Sequence, residues 1–232
     1  MHLMCSSKKG VSAHQLHRTL EITYKTAWFL AHRIREAMRS GNLAPFGEGG
    51  GMVEVDETFI GVEPGEPKAK AGGNHKMKVL ALVDRTTGEQ RSYVLDFINA
   101  RVIGEIVVAN LSREAILMTD EAAHYVKIGE KFAGHGHTHH AAGEYVSRFN
   151  PLVHTNTVEG SFSIFKRGMR GVYQHCSKKH LHRYLAEFDF RYSNRVAVGV
   201  DDTARATAAL RGVVGKRLTY RQPDQWPEGA QA

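Results

Sequence analysis

"MVEVDETFI", residues 52–60, decides how the rest of the chain is read. Met52, Val53, Val55, Phe59 and Ile60 alternate around acids as the residues of a β-strand do. Two similar runs follow, "KMKVLALVD" (76–84) and "EQRSYVLDFI" (89–98), joined by "RTTG", a good hairpin turn. Between the first two strands, residues 61–75 form an excursion rich in Gly, Pro and Lys. A helix is expected from about 101 to 110, and "AILMTD" (115–120) reads as a short buried strand ending in Asp120. The remainder reads as helical, at 121–131, about 155–167, about 178–195 and 201–212.

Three strands in a row, a helix, a further strand and then helices make an α/β mixed sheet flanked by helices. The first three strands form an antiparallel meander and the fourth joins through a crossover helix, the order of a ribonuclease-H-like sheet. Ahead of it lie two more helices. Ser12 is placed to cap the first, and Ile22, Ala27, Leu30, Ala31, Ile34 and Met38 give the second its rhythm. A short helix, a brief connection and a longer basic helix form a helix-turn-helix pattern, in which the second helix enters the major groove with its first turns. Tyr24, Lys25 and Thr26 would make those contacts, with Arg33 further along. An ordinary helical hairpin packed on the main domain is the competing reading. The expected division is 1–39 for the helix-turn-helix segment, 40–51 for a Gly-rich linker, 52–198 for the catalytic domain and 199–232 for a C-terminal helix and tail.

The 31 Lys and Arg exceed the 24 Asp and Glu, giving a formal net charge of +7. The excess is concentrated between Lys166 and Arg195 and within residues 1–40, which suits a polyanionic partner. Arg167, Arg170, Lys178, Lys179 and Arg183 are the DNA contacts expected from the first of these. The aromatic stripe Leu181, Tyr184, Leu185, Phe188 and Tyr192 reads as core, with Lys178, Lys179, Arg183 and Arg191 elsewhere on the same helix. No long apolar run suggests a membrane span. Two cysteines, Cys5 and Cys176, are too few for a disulfide framework, so a reducing cytoplasm is the expected setting.

Asp56 on the first strand and Asp120 at the end of the fourth can meet if those strands are neighbours, and Glu159 can reach them from its helix. Strand alternation puts Glu54 on the same face as Asp56 and Glu57 on the other. Such a carboxylate cluster is tolerated when hard divalent ions occupy it. Glu159 and Lys166 lie two helical turns apart and point the same way. A surface acid is the plainer reading at each position taken alone.

The stretches "VEVDETFIG", "LMTDEAAHY", "GEYV" and above all "HTNTVEGSFSIFKRGMRGVYQHCSKKHLHRYLAEFDFRYSNR" resemble the DDE-type transposases of bacterial insertion sequences. The likeness extends to "KKGVSAHQLHRTLEITYKTAWFLAHRIREAM", and is to the group with a helix-turn-helix ahead of a ribonuclease-H-like catalytic domain. The zinc ribbon that such relatives carry upstream is missing from these residues. The resemblance implies metal-binding acids at Asp56, Asp120 and Glu159, a trailing base at Lys166, and two Mg²⁺ or Mn²⁺ ions. Some relatives use the Asn of "HTN", here Asn156, as the third ligand; both residues are within reach and Glu159 is favoured. It further implies DNA strand cleavage followed by strand transfer, with the element's terminal repeats and target DNA as partners and an active homo-oligomer. His154 would orient a phosphate or a carboxylate.

Two other readings compete. "HGHTHH" gathers His135, His137, His139 and His140, which could hold zinc or iron, though a polar loop near DNA fits it better. A truncated or domesticated protein that binds DNA without cutting it is the alternative function.

Overall fold

The computed structural model describes residues 1–41, 44–63, 65–67, 73, 75–139 and 143–217. Part of the excursion at 61–75, His140 and the tail from 218 lie outside the described residues. Three helices come first: α1 (His2–Ser6), α2 (Ala13–Leu20) and α3 (Tyr24–Met38). They are followed by β1 (Met52–Ile60), β2 (Met77–Asp84), β3 (Gln90–Leu95), α4 (Ala100–Asn110), β4 (Ile116–Asp120), the one-turn α5 (Val126–Gly129) and β5 (Gly134–Thr138). Then come α6 (Asn156–Gly168), a π-helical turn (Met169–Tyr173), α7 (Lys178–Ser193) and α8 (Asp202–Arg211).

The five strands form one sheet in the order β3-β2-β1-β4-β5. The β1–β2 and β2–β3 pairs are antiparallel, whereas β1–β4 and β4–β5 are parallel. A meander followed by parallel strands reached through a crossover is the ribonuclease-H-like topology, α/β with a mixed sheet. All eight residues of β2 are buried, because helices cover both faces. On one face Val53, Val55, Leu80, Leu82 and Leu117 pack against Ile103 and Val107 of α4. On the other, Ile60, Val79, Ala81 and Val83 pack against Val158, Phe162 and Phe165 of α6 and Leu181, Leu185 and Phe188 of α7. The 40–51 stretch contributes to the first core through Phe46, which is buried and bridges to Leu111.

Two features differ from the sequence reading. The helix expected over 121–131 is a short 3₁₀ turn plus α5, which stops at Gly129. A Cβ on Gly129 would lie 2.2 Å from the His135 ring, so the chain turns there and the next residues become β5. That strand is "GHGHT": it has no apolar alternation and owes its state to pairing with β4. Arg191, expected on the solvated side of α7, is buried against Glu187 one turn earlier.

Glu187 is the centre of a buried knot. Arg35 Nε of α3 donates to Glu187 Oε2 at 2.7 Å, and Arg191 and the Tyr173 hydroxyl (2.5 Å) donate to Oε1. The Arg35 guanidinium also lies 4.1 Å from the centre of the Tyr184 ring. Burial alone would push the Glu187 carboxyl up; Arg191 and Arg35 hold it below its ordinary range. A third apolar cluster joins α1, α2 and α3 to Ala209 of α8 and Phe190 of α7. The α2–α3 pair, joined by three residues with Glu21 in the left-handed region, is thus docked on the C-terminal helices.

Candidate active site

Asp56 and Asp120 are set by strand register. β1 pairs in parallel with β4 at Glu54↔Met118. The ladder ends there, and Asp56 and Asp120 each lie two residues further along, Asp120 as the last residue of β4. The Glu57 amide donates to Asp56 Oδ1 at 2.8 Å, and the Ala122 amide to Asp120 Oδ1 at 3.0 Å. The helix that carries Glu159 lies over the same sheet face as Asp56. Thr155, fully buried before the first turn of α6, donates through its hydroxyl to Glu159 Oε1 at 3.1 Å.

What holds α6 there is Glu54, which is 0% exposed. Its Oε2 accepts the Val158 amide of the first turn at 2.9 Å, capping the helix from β1. Its Oε1 accepts from Arg85 Nε at 2.5 Å and lies 3.3 Å from His154 Nδ1. Arg85 also donates to the carbonyls of Leu152 (2.6 Å) and His154 (2.7 Å), fixing the approach to the helix. The acid two residues before Asp56 therefore ties the strand bearing Asp56 to the helix bearing Glu159. His154 belongs to this network through Arg85, whose Nη2 donates to its Nδ1 at 2.8 Å. Neither Arg85 nor the Glu54 cap was apparent in the sequence; the one available signal was that Glu54 shares a strand face with Asp56.

Burial, then the charges of Glu57, Asp120 and Glu159, push the Asp56 carboxyl well above its ordinary range, against the pull of the Glu57 amide. Lys166 is half-buried; burial draws its ammonium down, while the attraction of Asp56 works the other way. So Asp56 feels both Glu159 and Lys166, the pair two turns apart on α6. On the far face, His124 Nε2 meets Glu57 Oε1 at 2.8 Å, and that bond raises the imidazole above its ordinary value.

The other expected residues fall into three groups. Asn156 is exposed at the first position of α6. Tyr24, Lys25, Thr26, Arg33, Arg167, Arg170 and Lys179 are exposed. Lys178 is engaged by Glu63 and by Asp96 at 2.6 Å, and Arg183 is partly buried beside His180. In the histidine run, His135 Nε2 meets the Thr119 hydroxyl at 2.8 Å, while His137 and His139 have their rings 5.0 Å apart at the end of β5.

Among the described residues, no three His, Cys, Asp or Glu side chains converge tightly enough to enclose a metal ion. The donor chemistry nevertheless suits a hard divalent cation: carboxylates on β1, β4 and α6, with Asp56 buried, so that a bound cation would offset the cost of its charge there.

The family model of the ISXO2-like transposase domain matches residues 49–193, more than half the chain. The chain belongs to this family of DDE-type transposases. The match begins just before β1 and ends at the last residue of α7, so all three acids and Lys166 lie inside the transposase domain. No curated protein sequence matches the chain significantly. Among solved structures, the chain is similar to the cryo-EM structure of the simian T-cell lymphotropic virus intasome in complex with PP2A regulatory subunit B56 gamma. That match has a TM-score of 0.39 and 13% identity, over 97% of this chain and 74% of the other. The crystal structure of the Mos1 strand transfer complex matches with a TM-score of 0.35 and 14% identity, over 87% and 70%. Among the described residues no helix is long and apolar enough to cross a membrane.

Proposed function

We propose that this transposase-family chain cleaves DNA strands at the ends of an insertion sequence and transfers them to target DNA, using Asp56, Asp120 and Glu159 with two Mg²⁺ or Mn²⁺ ions. What supports the reading is the transposase-family match over residues 49–193, within which Asp56 and Asp120 each lie two residues beyond the last paired positions of β1 and β4, and Glu159 sits on the helix that Glu54 ties to β1. Divalent cations held by these acids would activate the attacking oxygen and stabilise the leaving one. In the first step water attacks a backbone phosphorus and the 3′-oxygen leaves as a hydroxyl. In the second, that hydroxyl attacks a target phosphodiester and displaces another 3′-oxygen.

The chain's own residues position the DNA. Lys166, beside Asp56, contacts a non-bridging oxygen of the scissile or a flanking phosphate, and Glu54 keeps Glu159 in register with Asp56 by holding the helix start. The exposed first turn of α3, with Tyr24, Lys25 and Thr26, is offered to the DNA groove, and Arg33, Arg167, Arg170 and Lys179 to the phosphates. Lys178 and Arg183 are weaker candidates because their side chains already have partners or are partly buried. Pairing two element ends calls for at least two copies of the chain.

Labelled duplexes carrying the element's flanking ends, incubated with Mg²⁺ or Mn²⁺, test this directly. Nicking by wild type that disappears in a folded Asp120→Asn variant is the expected result. DNA retention with no metal-dependent nicking by wild type would overturn it in favour of a non-cutting DNA-binding protein.

A further inference from the structure

The segment joining α1 to α2 is built against the end of α6. In the turn Ser7–Gly10, Ser7 Oγ donates to the Gly10 carbonyl (2.8 Å) and accepts from the Gly10 amide (3.1 Å). Gly10 has φ +102°, and a Cβ there would lie 1.8 Å from the Tyr173 hydroxyl. From the other side, a Cβ on Gly168 would lie 2.6 Å from the Lys9 carbonyl and 2.5 Å from the Phe188 ring. Two glycines thus let the backbone of the turn press onto the end of α6. The pair of lysines between Ser7 and Gly10 is thereby held in place.

Lys8 and Lys9 line a cavity of about 150 Å³ with Ile164 and Arg167 of α6. All three cationic side chains are exposed, and among the described residues no carboxylate pairs with any of them. Arg167 Nε donates to the Ser163 carbonyl at 3.1 Å, which fixes the guanidinium stem and leaves its outer nitrogens toward the cavity and solvent. Arg170 is exposed one turn further on, and Lys166, adjacent in sequence, faces Asp56. Cationic side chains thus stand both beside Asp56 and at the N-terminal turn, with α6 and the turn that follows it between them.

We propose that Lys8, Lys9 and Arg167 form a phosphate cradle that grips the DNA backbone where it leaves the acidic site along α6. This rests on the reading of the chain as a DNA-acting transposase. The cradle is open, joins two segments distant in sequence, and continues the cationic track of Lys166 and Arg170. Those traits suit a polymeric phosphodiester gripped without regard to base, rather than a single enclosed anion.

The test is fluorescence anisotropy of a labelled duplex of arbitrary sequence, across a series of salt concentrations, with the full chain. Wild type is compared with Lys8→Gln/Lys9→Gln/Arg167→Gln, with Lys8→Arg/Lys9→Arg, and with Lys127→Gln/Lys131→Gln as a control for charge removal away from the cradle. Every phosphate that is no longer neutralised lowers the slope of log K against log salt by about 0.9. The triple variant should therefore have a slope shallower by about 2 to 3, with unchanged thermal unfolding because its side chains are exposed. The arginine variant and the control should keep the wild-type slope. A triple-variant slope equal to wild type, or a control that falls equally, overturns the cradle while leaving DNA binding intact. Displacement of the duplex from wild type by millimolar inorganic phosphate at fixed ionic strength would overturn it too, reassigning the cavity to small anions. A wild-type chain that binds no DNA would overturn the transposase reading and the cradle with it.

Discussion

Replacing Glu54 tests whether a residue outside the reacting centre sets its geometry. Glu54 is fully buried and its Arg85 partner is 15% exposed in its side chain. Removing one member of a buried pair costs about 3–5 kcal/mol, and loss of a helix cap about 1 kcal/mol. Arg85 would keep its carbonyl acceptors at Leu152 and His154 and can turn toward water, so the low end applies. Glu54→Gln retains an oxygen for the Val158 amide but removes the charge pair, and should cost about 3 kcal/mol. Glu54→Ala removes both and should cost about 4 kcal/mol. Urea unfolding followed by far-UV circular dichroism reads both numbers, and their difference isolates the cap. Strand cleavage, measured where the variants remain almost fully folded, should fall roughly tenfold or more because α6 no longer holds Glu159 against Asp56. An alanine variant within about 0.5 kcal/mol of wild type that cuts at the wild-type rate would refute the reasoning.

Three further outcomes are expected. His32 is buried with neither ring nitrogen hydrogen-bonded, and burial, with Arg35, His180, Arg183 and His182 nearby, lowers its pKa to about 3. The unfolded chain therefore binds the extra proton between about pH 3 and 6.5, so this contribution to stability shrinks as pH falls through that window. From about pH 7 to 5 it amounts to about 2 kcal/mol, and the stability difference between wild type and His32→Leu should change by that much in paired urea titrations. Gly168→Ala places a methyl against the Lys9 carbonyl and the Phe188 ring, so the Tm should drop by an amount equivalent to about 1–3 kcal/mol in calorimetry. Asp56→Asn should raise the Tm of the metal-free protein by removing a buried charge and its repulsion by neighbouring carboxylates, yet abolish any rise on adding Mn²⁺; a variant that keeps the metal-induced shift would exclude Asp56 as a ligand.

Sequence patterning carried the reading wherever the two sides of an element differ in polarity. β1 alternates because one of its faces meets α4 and the other α6, and α7 shows its apolar stripe because one side packs on the sheet. Asp120 stood out because it follows an apolar run as the last residue of its strand. β5 was illegible because its glycines serve close approach: a Cβ on Gly136 would lie 2.9 Å from both Met118 and Val153. Such a strand has neither period nor propensity to betray it. Glu54 and Arg191 show the complementary failure. Each looks like an ordinary surface charge in its own segment, and only partners 31 and 104 residues away for Glu54, or the buried Glu187 for Arg191, reveal a different role. Side-chain pairing across the tertiary fold has no local signature.

The knot around Glu187 bears on how such a protein can be re-engineered. Exchanging residues 1–39 for another helical segment would strip Arg35 from a carboxylate sealed in the interior. A graft has to bring its own arginine at that position, together with a small side chain opposite Tyr173, or carry a redesigned α7 with it. The N-terminal helices and the C-terminal half of the sheet domain are therefore a matched set rather than a body with an interchangeable head.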